Sequence, residues 1–304
     1  MQFRLLTASL VIGFLSIVTA EATDFCQLTS QTTLQSCREG AQSDFSLALG
    51  NCDNLASSAK RQSCRQQAST DLSDAKNTCN DQFVARQAVC KRLGPEPYDP
   101  RINPANFSSV IDNPYYPLKP GTTFVYEGQT PDGFEHNEVA VTDKTRKIMS
   151  VTVVEVHDRV WTDGKLTEDT LDWFAQDKQG NVWYFGENSK QLENGLVVGI
   201  EGTWTAGLDF AKPGIIMEAH PTVGDFYRQE FSLDTAEDVA VVLSLDQNAT
   251  VPAGKFDDCL KTKDTTPLEP DVVENKFYAP GVGEVLETAP ATGERLQLVK
   301  IKTN

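Results

Sequence analysis

The sequence predicts an α+β protein: an N-terminal antiparallel α-hairpin stapled by disulfides, followed by a mainly antiparallel β domain (curved sheet, half-barrel or sandwich). Three observations predict it. Six of the seven cysteines lie between positions 26 and 90, with gaps of 11, 15, 12, 15 and 11. The stretch 25–93 contains no proline and only two glycines, as long helices require. From 122 onward, short alternating apolar runs are separated by Asp-Gly, Gly-Asn and Asn-Gly pairs, the turn chemistry of β-hairpins.

The chain divides accordingly into a signal peptide (1–20), a stapled hairpin (21–94), a proline-rich linker (95–121) and a β domain (122–304). The first segment carries one cation, Arg4, then an apolar stretch and Val18-Thr19-Ala20, the pattern of a cleaved secretory signal. No cysteine follows the small residues closely, and the apolar stretch is short for a membrane span. A secreted or periplasmic location without a membrane span is therefore expected, and disulfides fit such a compartment. The formal charge of −16 opposes nucleic acid and anionic membrane surfaces as partners.

The cysteine gaps are a palindrome. Residues facing each other across an antiparallel hairpin have a constant sum, and Cys26 with Cys90, Cys37 with Cys79, and Cys52 with Cys64 all share the sum 116. The helical steps agree. Cys26, Ser30, Leu34, Cys37, Ala41, Phe45, Ala48 and Cys52 advance by threes and fours along one stripe, and Cys64, Ala68, Leu72, Ala75, Cys79, Phe83, Arg86 and Cys90 repeat those steps. A cluster of Asn, Asp and Ser at 51–58 supplies the connection. A three-helix bundle joining Cys26 to Cys64 and Cys37 to Cys52 is the competing arrangement, but it cannot use all six in one register. Metal binding by these thiols is disfavoured, since neighbouring rungs lie about 16 Å or more apart along each helix. The staples have an energetic reason: so small a helical unit buries too little surface to stand alone.

The linker holds seven prolines between 94 and 121. Its aromatics Tyr98, Phe107, Tyr115 and Tyr116 predict packing along the next domain. Strands are expected at 123–127, 138–142, 147–161, 166–175, 182–185 and 192–200, and, after a looser stretch, at 226–232, 239–245, 256–262, 272–278, 283–287 and 296–301. No helix-length periodic segment interrupts them, which disfavours parallel βαβ folds.

Several runs carry a resemblance. Asn113-Pro114-Tyr115-Tyr116-Pro117-Leu118-Lys119-Pro120-Gly121, Leu171-Asp172-Trp173-Phe174-Ala175-Gln176-Asp177, Gly180-Asn181-Val182-Trp183-Tyr184-Phe185-Gly186 and Lys212-Pro213-Gly214-Ile215-Ile216-Met217 are among them. The most distinctive is Thr266-Pro267-Leu268-Glu269-Pro270 followed by Tyr278-Ala279-Pro280-Gly281-Val282-Gly283. Over most of 113–302 the chain resembles a family of uncharacterised exported bacterial proteins. The resemblance implies export and hands over no catalytic residues.

No catalytic constellation stands out. His136, His157 and His220 lack metal-ligand spacing. Cys259 is flanked by carboxylates, which oppose a thiolate, and reads as a buried free thiol. Asp169 with Asp172, or Asp257 with Asp258, are the carboxylate pairs available for hydrolysis, although acidic residues near hairpins are normally solvated surface. The loop Asp177–Asn181 lacks a full calcium-ligand series. The aromatic set Trp161, Trp173, Trp183, Tyr184 and Trp204 either fills the core or lines a cleft for an apolar ligand. The expectation is an exported non-catalytic protein whose β domain binds an apolar small molecule or an envelope partner, with no cofactor and no metal. The alternative is a carboxylate-dependent hydrolase acting on an extracytoplasmic substrate, with Asp172 as the residue to test.

Overall fold

A computed structural model describes residues 23–303; the segment read as a signal peptide lies outside the described residues. Two helices, α1 (Phe25–Asp53) and α2 (Ser58–Leu93), form the predicted hairpin. Asp24 caps α1 by accepting from Gln27 N at 2.9 Å, and Ser57 caps α2 by accepting from Lys60 N. Gly94, at φ +90°, ends α2. The bridges are Cys26–Cys90, Cys37–Cys79 and Cys52–Cys64, with Cα separations of 5.6, 5.8 and 5.5 Å. Among the described residues, no helix is long and apolar enough to cross a membrane.

The rest is one antiparallel sheet. A short strand, β1 (Phe107–Ser108), precedes a meander of β2 (Thr122–Thr130), β3 (Gly133–Ile148), β4 (Val151–Thr162), β5 (Lys165–Asp177) and β6 (Val182–Asn188). The hairpin β7 (Gln191–Glu193) and β8 (Leu196–Gly199) and the short β9 (Trp204–Thr205) come after it. Next are β10 (Lys212–Met217), β11 (Phe226–Arg228) and β12 (Glu230–Phe231). A second meander comprises β13 (Val239–Val251), β14 (Gly254–Thr265), β15 (Val273–Ala279), β16 (Gly283–Ala289) and β17 (Glu294–Thr303). The meanders join where β17 pairs with β2. On the other side β10 bridges them, pairing with β6 and β12, while β11 pairs with β13. The sheet is therefore nearly closed and barrel-like, so few backbone edges are left unpaired.

Two strand expectations are corrected. The run 147–161 reads as a single strand, but the chain reverses at Met149 and Ser150, whose φ values are 48° and 67°. Neither residue type favours that conformation. The pairing of β3 with β4, from Ile148–Val151 to Glu135–Thr162, imposes it. Likewise 192–200 is a hairpin turning at Asn194-Gly195.

The proline-rich segment lies against the barrel. Tyr98 donates to the Pro213 carbonyl at 2.9 Å, and Phe107 packs edge-on to Trp183 and Phe185. Asn113 Nδ2 donates to the carbonyls of Gly180 and Glu218. Tyr116 reaches in to contact Phe174 and Tyr278. The hairpin docks through α2: Gln82 donates to the Leu268 carbonyl at 3.0 Å, and Arg92 lies over the Phe226 ring. The buried Arg86 meets the buried Glu237 at 2.7 Å.

Candidate functional site

The barrel encloses a cavity of about 380 Å³. Alternation along the strands decides what lines it. On β4, Asp158 lies across from Val139; on β5, Asp172 faces Val156 and Glu187. On the opposite wall Lys276 of β15 sits across from Glu287, and Tyr278 across from Glu284. Together with Glu230 and Asp238, seven carboxyl groups line the cavity against one lysine, Lys276. Phe124, Tyr116, Tyr126 and Tyr184 supply aromatic wall between them.

A β-bulge builds one corner. Tyr184 and Glu187 are three residues apart, a spacing that would put them on opposite faces of a regular strand. Between them the pairing with β5 slips at Asp172/Phe174, so that both side chains reach the cavity. Gly186 makes this possible: its φ is +132°, and a Cβ there would lie 2.4 Å from the Trp204 carbonyl oxygen. Gly186→Ala is therefore expected to cost at least about 1–3 kcal/mol, through strain and the clash together. A thermal melt indistinguishable from wild type would show that the bulge has no such requirement.

The Tyr184 hydroxyl lies 2.6 Å from Asp172 Oδ1 and 2.8 Å from Glu187 Oε2. One hydroxyl proton serves one of these contacts. The other needs a protonated carboxyl that donates to the hydroxyl. The electrostatics agree. Burial pushes Asp172 up to about 8, with the Glu187 carboxylate adding to it, and burial pushes Glu187 itself up to about 7. Burial likewise raises Glu284 to about 8, Glu287 to about 7 and Asp238 to about 6. Asp158 and Glu230 are driven well above the carboxylate range by burial and by neighbouring carboxylates. Burial works against the Lys276 ammonium, but Glu274, Glu287, Asp264 and Glu284 around it outweigh that and hold it protonated. Its Nζ lies 3.2 Å from Glu274 and 3.5 Å from Glu287.

Of the aromatic residues nominated from sequence, Tyr184 is on the cavity wall. Trp204 stands buried behind it, edge-on at 5.4 Å, and donates to Glu230 at 2.9 Å. The other three lie elsewhere. Trp173, next to the inward-facing Asp172 and Phe174, points to the opposite face beneath Arg146. Trp183 donates to Asp177 Oδ2 at 2.9 Å and packs on Phe107. Trp161, half-buried, sits between His136 and Arg159.

The carboxylate pairs separate too. Asp169 binds His157 Nε2 at 3.1 Å, away from the cavity, while Asp172 faces inward. Asp257 and Asp258 are exposed. Both Asp177 oxygens are taken by donors of its own hairpin: Gln179 N and Asn181 N on one, Asn181 Nδ2 and Trp183 Nε1 on the other. That loop is thus an internally satisfied turn. Cys259 is free and fully buried, and burial pushes its thiol up. Among the described residues, no group of His, Cys, Asp and Glu converges as a metal-ligand set.

Sequence reasoning missed most of the lining. Asp158, Glu187, Glu230, Asp238, Glu284 and Glu287 read as ordinary members of an acidic surface. The available signal was carboxylates on a strand face shared with aromatics, as in Asp172-Trp173-Phe174.

No protein-family model and no curated protein matches the chain. Among solved structures, it is similar to a "putative lipoprotein" from Parabacteroides distasonis, at 14% identity and a TM-score of 0.34, over 62% of this chain and 98% of that one.

Proposed function

We propose that this is a non-catalytic extracytoplasmic binding protein whose barrel lumen takes a small organic cation. The observation that carries the reading is the lining itself, seven carboxyl groups and three tyrosines against a single lysine. Buried carboxyls without counter-charge protonate, at a cost that a ligand ammonium group would recover. Asn137 Oδ1 and Asp158 Oδ1, both on the wall, are buried acceptors without a hydrogen-bond partner. The tyrosine faces add cation–π attraction to any ammonium they surround. A purely apolar molecule would leave these acceptors unused. The carboxylates are spread around the wall instead of converging, which suits an extended organic cation. Export rests on the 1–20 segment and on the three disulfides, which persist outside reducing compartments.

Binding a cation favours ionised carboxylates, so it expels protons from groups that titrate between about 6 and 8. Calorimetric titration of spermidine at pH 6, 7 and 8, in two buffers of different ionisation enthalpy, tests this. Affinity is expected to rise by at least about tenfold from pH 6 to 8, with net proton release at pH 7. No heat at any pH, or an affinity independent of pH, would reject the reading.

A second reading stands on one specific contact. Tyr184 joins two carboxyl groups, and Asp172, at about 8, holds a proton at neutral pH as a general acid must. Hydrolysis of an extracytoplasmic substrate that stops in Asp172→Asn, with the fold intact, would favour that reading over simple binding.

A further inference from the structure

A second cavity, of about 340 Å³, lies outside the lumen, between the open end of the hairpin and the barrel wall. Its walls are apolar: Phe25, Val89 and Leu93 from the helices, Tyr98 from the proline-rich segment, Phe231 and Leu233 from the barrel. The Cys26–Cys90 bridge forms part of the lining and ties the two helical sides together. At the mouth stands Phe210, 93% exposed, carried on a turn in which Asp209 and Phe210 both have positive φ. Such a volume is at the small end of ligand pockets.

Two buried guanidinium groups face into this apolar space. Arg86 is 4% exposed and is committed to Glu237, with Nε at 3.0 and 3.1 Å and Nη2 at 2.7 Å from its oxygens. A weaker contact runs from Nη2 to Asp234 at 3.4 Å. Arg228 is different. It is 7% exposed, its Nε and Nη1 have no hydrogen-bond partner, and among the described residues it forms no salt bridge. It lies against the faces of Phe231 and Tyr98, at 4.7 and 5.6 Å, and the carboxylate nearest in effect, Glu237, is already engaged by Arg86. Arg86 Nη1 and Ser30 Oγ, in the same lining, are also buried without partners. An unpaired cation in an apolar pocket is among the costliest arrangements in a folded chain, and its remedy is an anion presenting two oxygens to the guanidinium fork. The remaining carboxylates of the lining, Glu96 and Asp209, are exposed. Being solvated they repel an anion only weakly, and a doubly charged phosphate more than a singly charged carboxylate.

We infer that this junction is a binding site for a single-chain amphiphilic carboxylate, with the headgroup on Arg228 and the tail along the Phe25, Val89 and Leu93 wall. The site is independent of the lumen and of the ligand proposed for it. The hairpin then has a role besides its own stability, because α1 and α2 supply nearly half of the pocket lining.

The test uses decanoate, decanol and inorganic phosphate, each titrated into the full chain at pH 7, with thermal melts in parallel. Decanoate is expected to bind saturably, with decanol and phosphate each at least about tenfold weaker. Arg228→Met is expected to lose decanoate binding while melting at or above the wild-type temperature without ligand, since it removes a buried charge that has no salt bridge of its own. Should that variant fail to fold, Leu93→Trp, which fills the pocket from the α2 side, is expected to block decanoate. Absence of saturable decanoate binding overturns the proposal. So do equal binding of decanol, retention of decanoate by Arg228→Met or Leu93→Trp, and binding confined to anionic phosphatidylglycerol vesicles.

Discussion

Glu237→Ala is expected to destabilise the protein by about 3–5 kcal/mol, the usual cost of stripping one partner from a buried ion pair. Glu237 is 1% exposed and holds Arg86 through three contacts; it also accepts the backbone N–H of Asp234 at 2.9 Å. Removal leaves the buried guanidinium with only its 3.4 Å contact to Asp234, and takes the acceptor from the Asp234 amide. At roughly 2–4 °C per kcal/mol, the melting midpoint should fall by about 6–20 °C. Hydrogen exchange locates the effect: amides of α2 and of 228–237 should lose protection before those of the β2–β5 wall. The double variant Arg86→Met/Glu237→Leu, which removes both charges, should recover most of the loss. A single variant within about 1 kcal/mol of wild type would mean that the pair does not dock the hairpin.

The second large effect is a loss of stability as pH rises. Asp172, Glu187, Glu284, Glu287 and Asp238 have folded values between about 6 and 8, all raised chiefly by burial. Each binds its proton more tightly folded than unfolded. Its contribution is complete below the ordinary carboxylate value near 4 and is lost as pH climbs through 6 to 8. The carboxylates whose values are lowered by hydrogen bonds, Asp99, Glu138, Asp225 and Asp246, act the other way, but only below about pH 4. The melting midpoint is thus expected to be at least about 10 °C higher at pH 5 than at pH 9. Spermidine should narrow that gap by stabilising the alkaline form. A flat or rising profile between pH 5 and 9 would mean that the lumen carboxyls are hydrated and ionised throughout, which would also undercut the cation reading.

Much of the hairpin was legible because its constraint is one-dimensional. A constant residue sum and an 11-residue step can be read directly from Cys26, Cys37, Cys52, Cys64, Cys79 and Cys90. The same stripe placed Arg86 opposite Ser30, on the buried side, where an unpaired arginine makes no sense for an isolated hairpin. Its partner, Glu237, lies 151 positions away and could be found only in space. The strands were legible where turn chemistry is local, at Asp163-Gly164 and Gly180-Asn181 for example. They were not legible at Met149-Ser150, where pairing between two long strands forces an unfavoured turn.

The lumen was hidden for a related reason. On β5 the two faces read Leu171, Trp173, Ala175 and Asp172, Phe174, Gln176, and hydropathy alone favours turning the first face inward. The barrel turns Asp172 and Phe174 inward and covers Trp173 with Arg146. By itself the sequence determined the stapled hairpin, its register, its end at Gly94, and the antiparallel character of the β domain. Only the tertiary structure decided which strand face became the interior, that carboxylates would meet there, and that Arg228 would be buried with its Nε and Nη1 unbonded. The first set depends on periodicity and turn chemistry within a few residues. The second depends on closure of the sheet, which brings β2 against β17 and α2 against the barrel, contacts that no local pattern encodes.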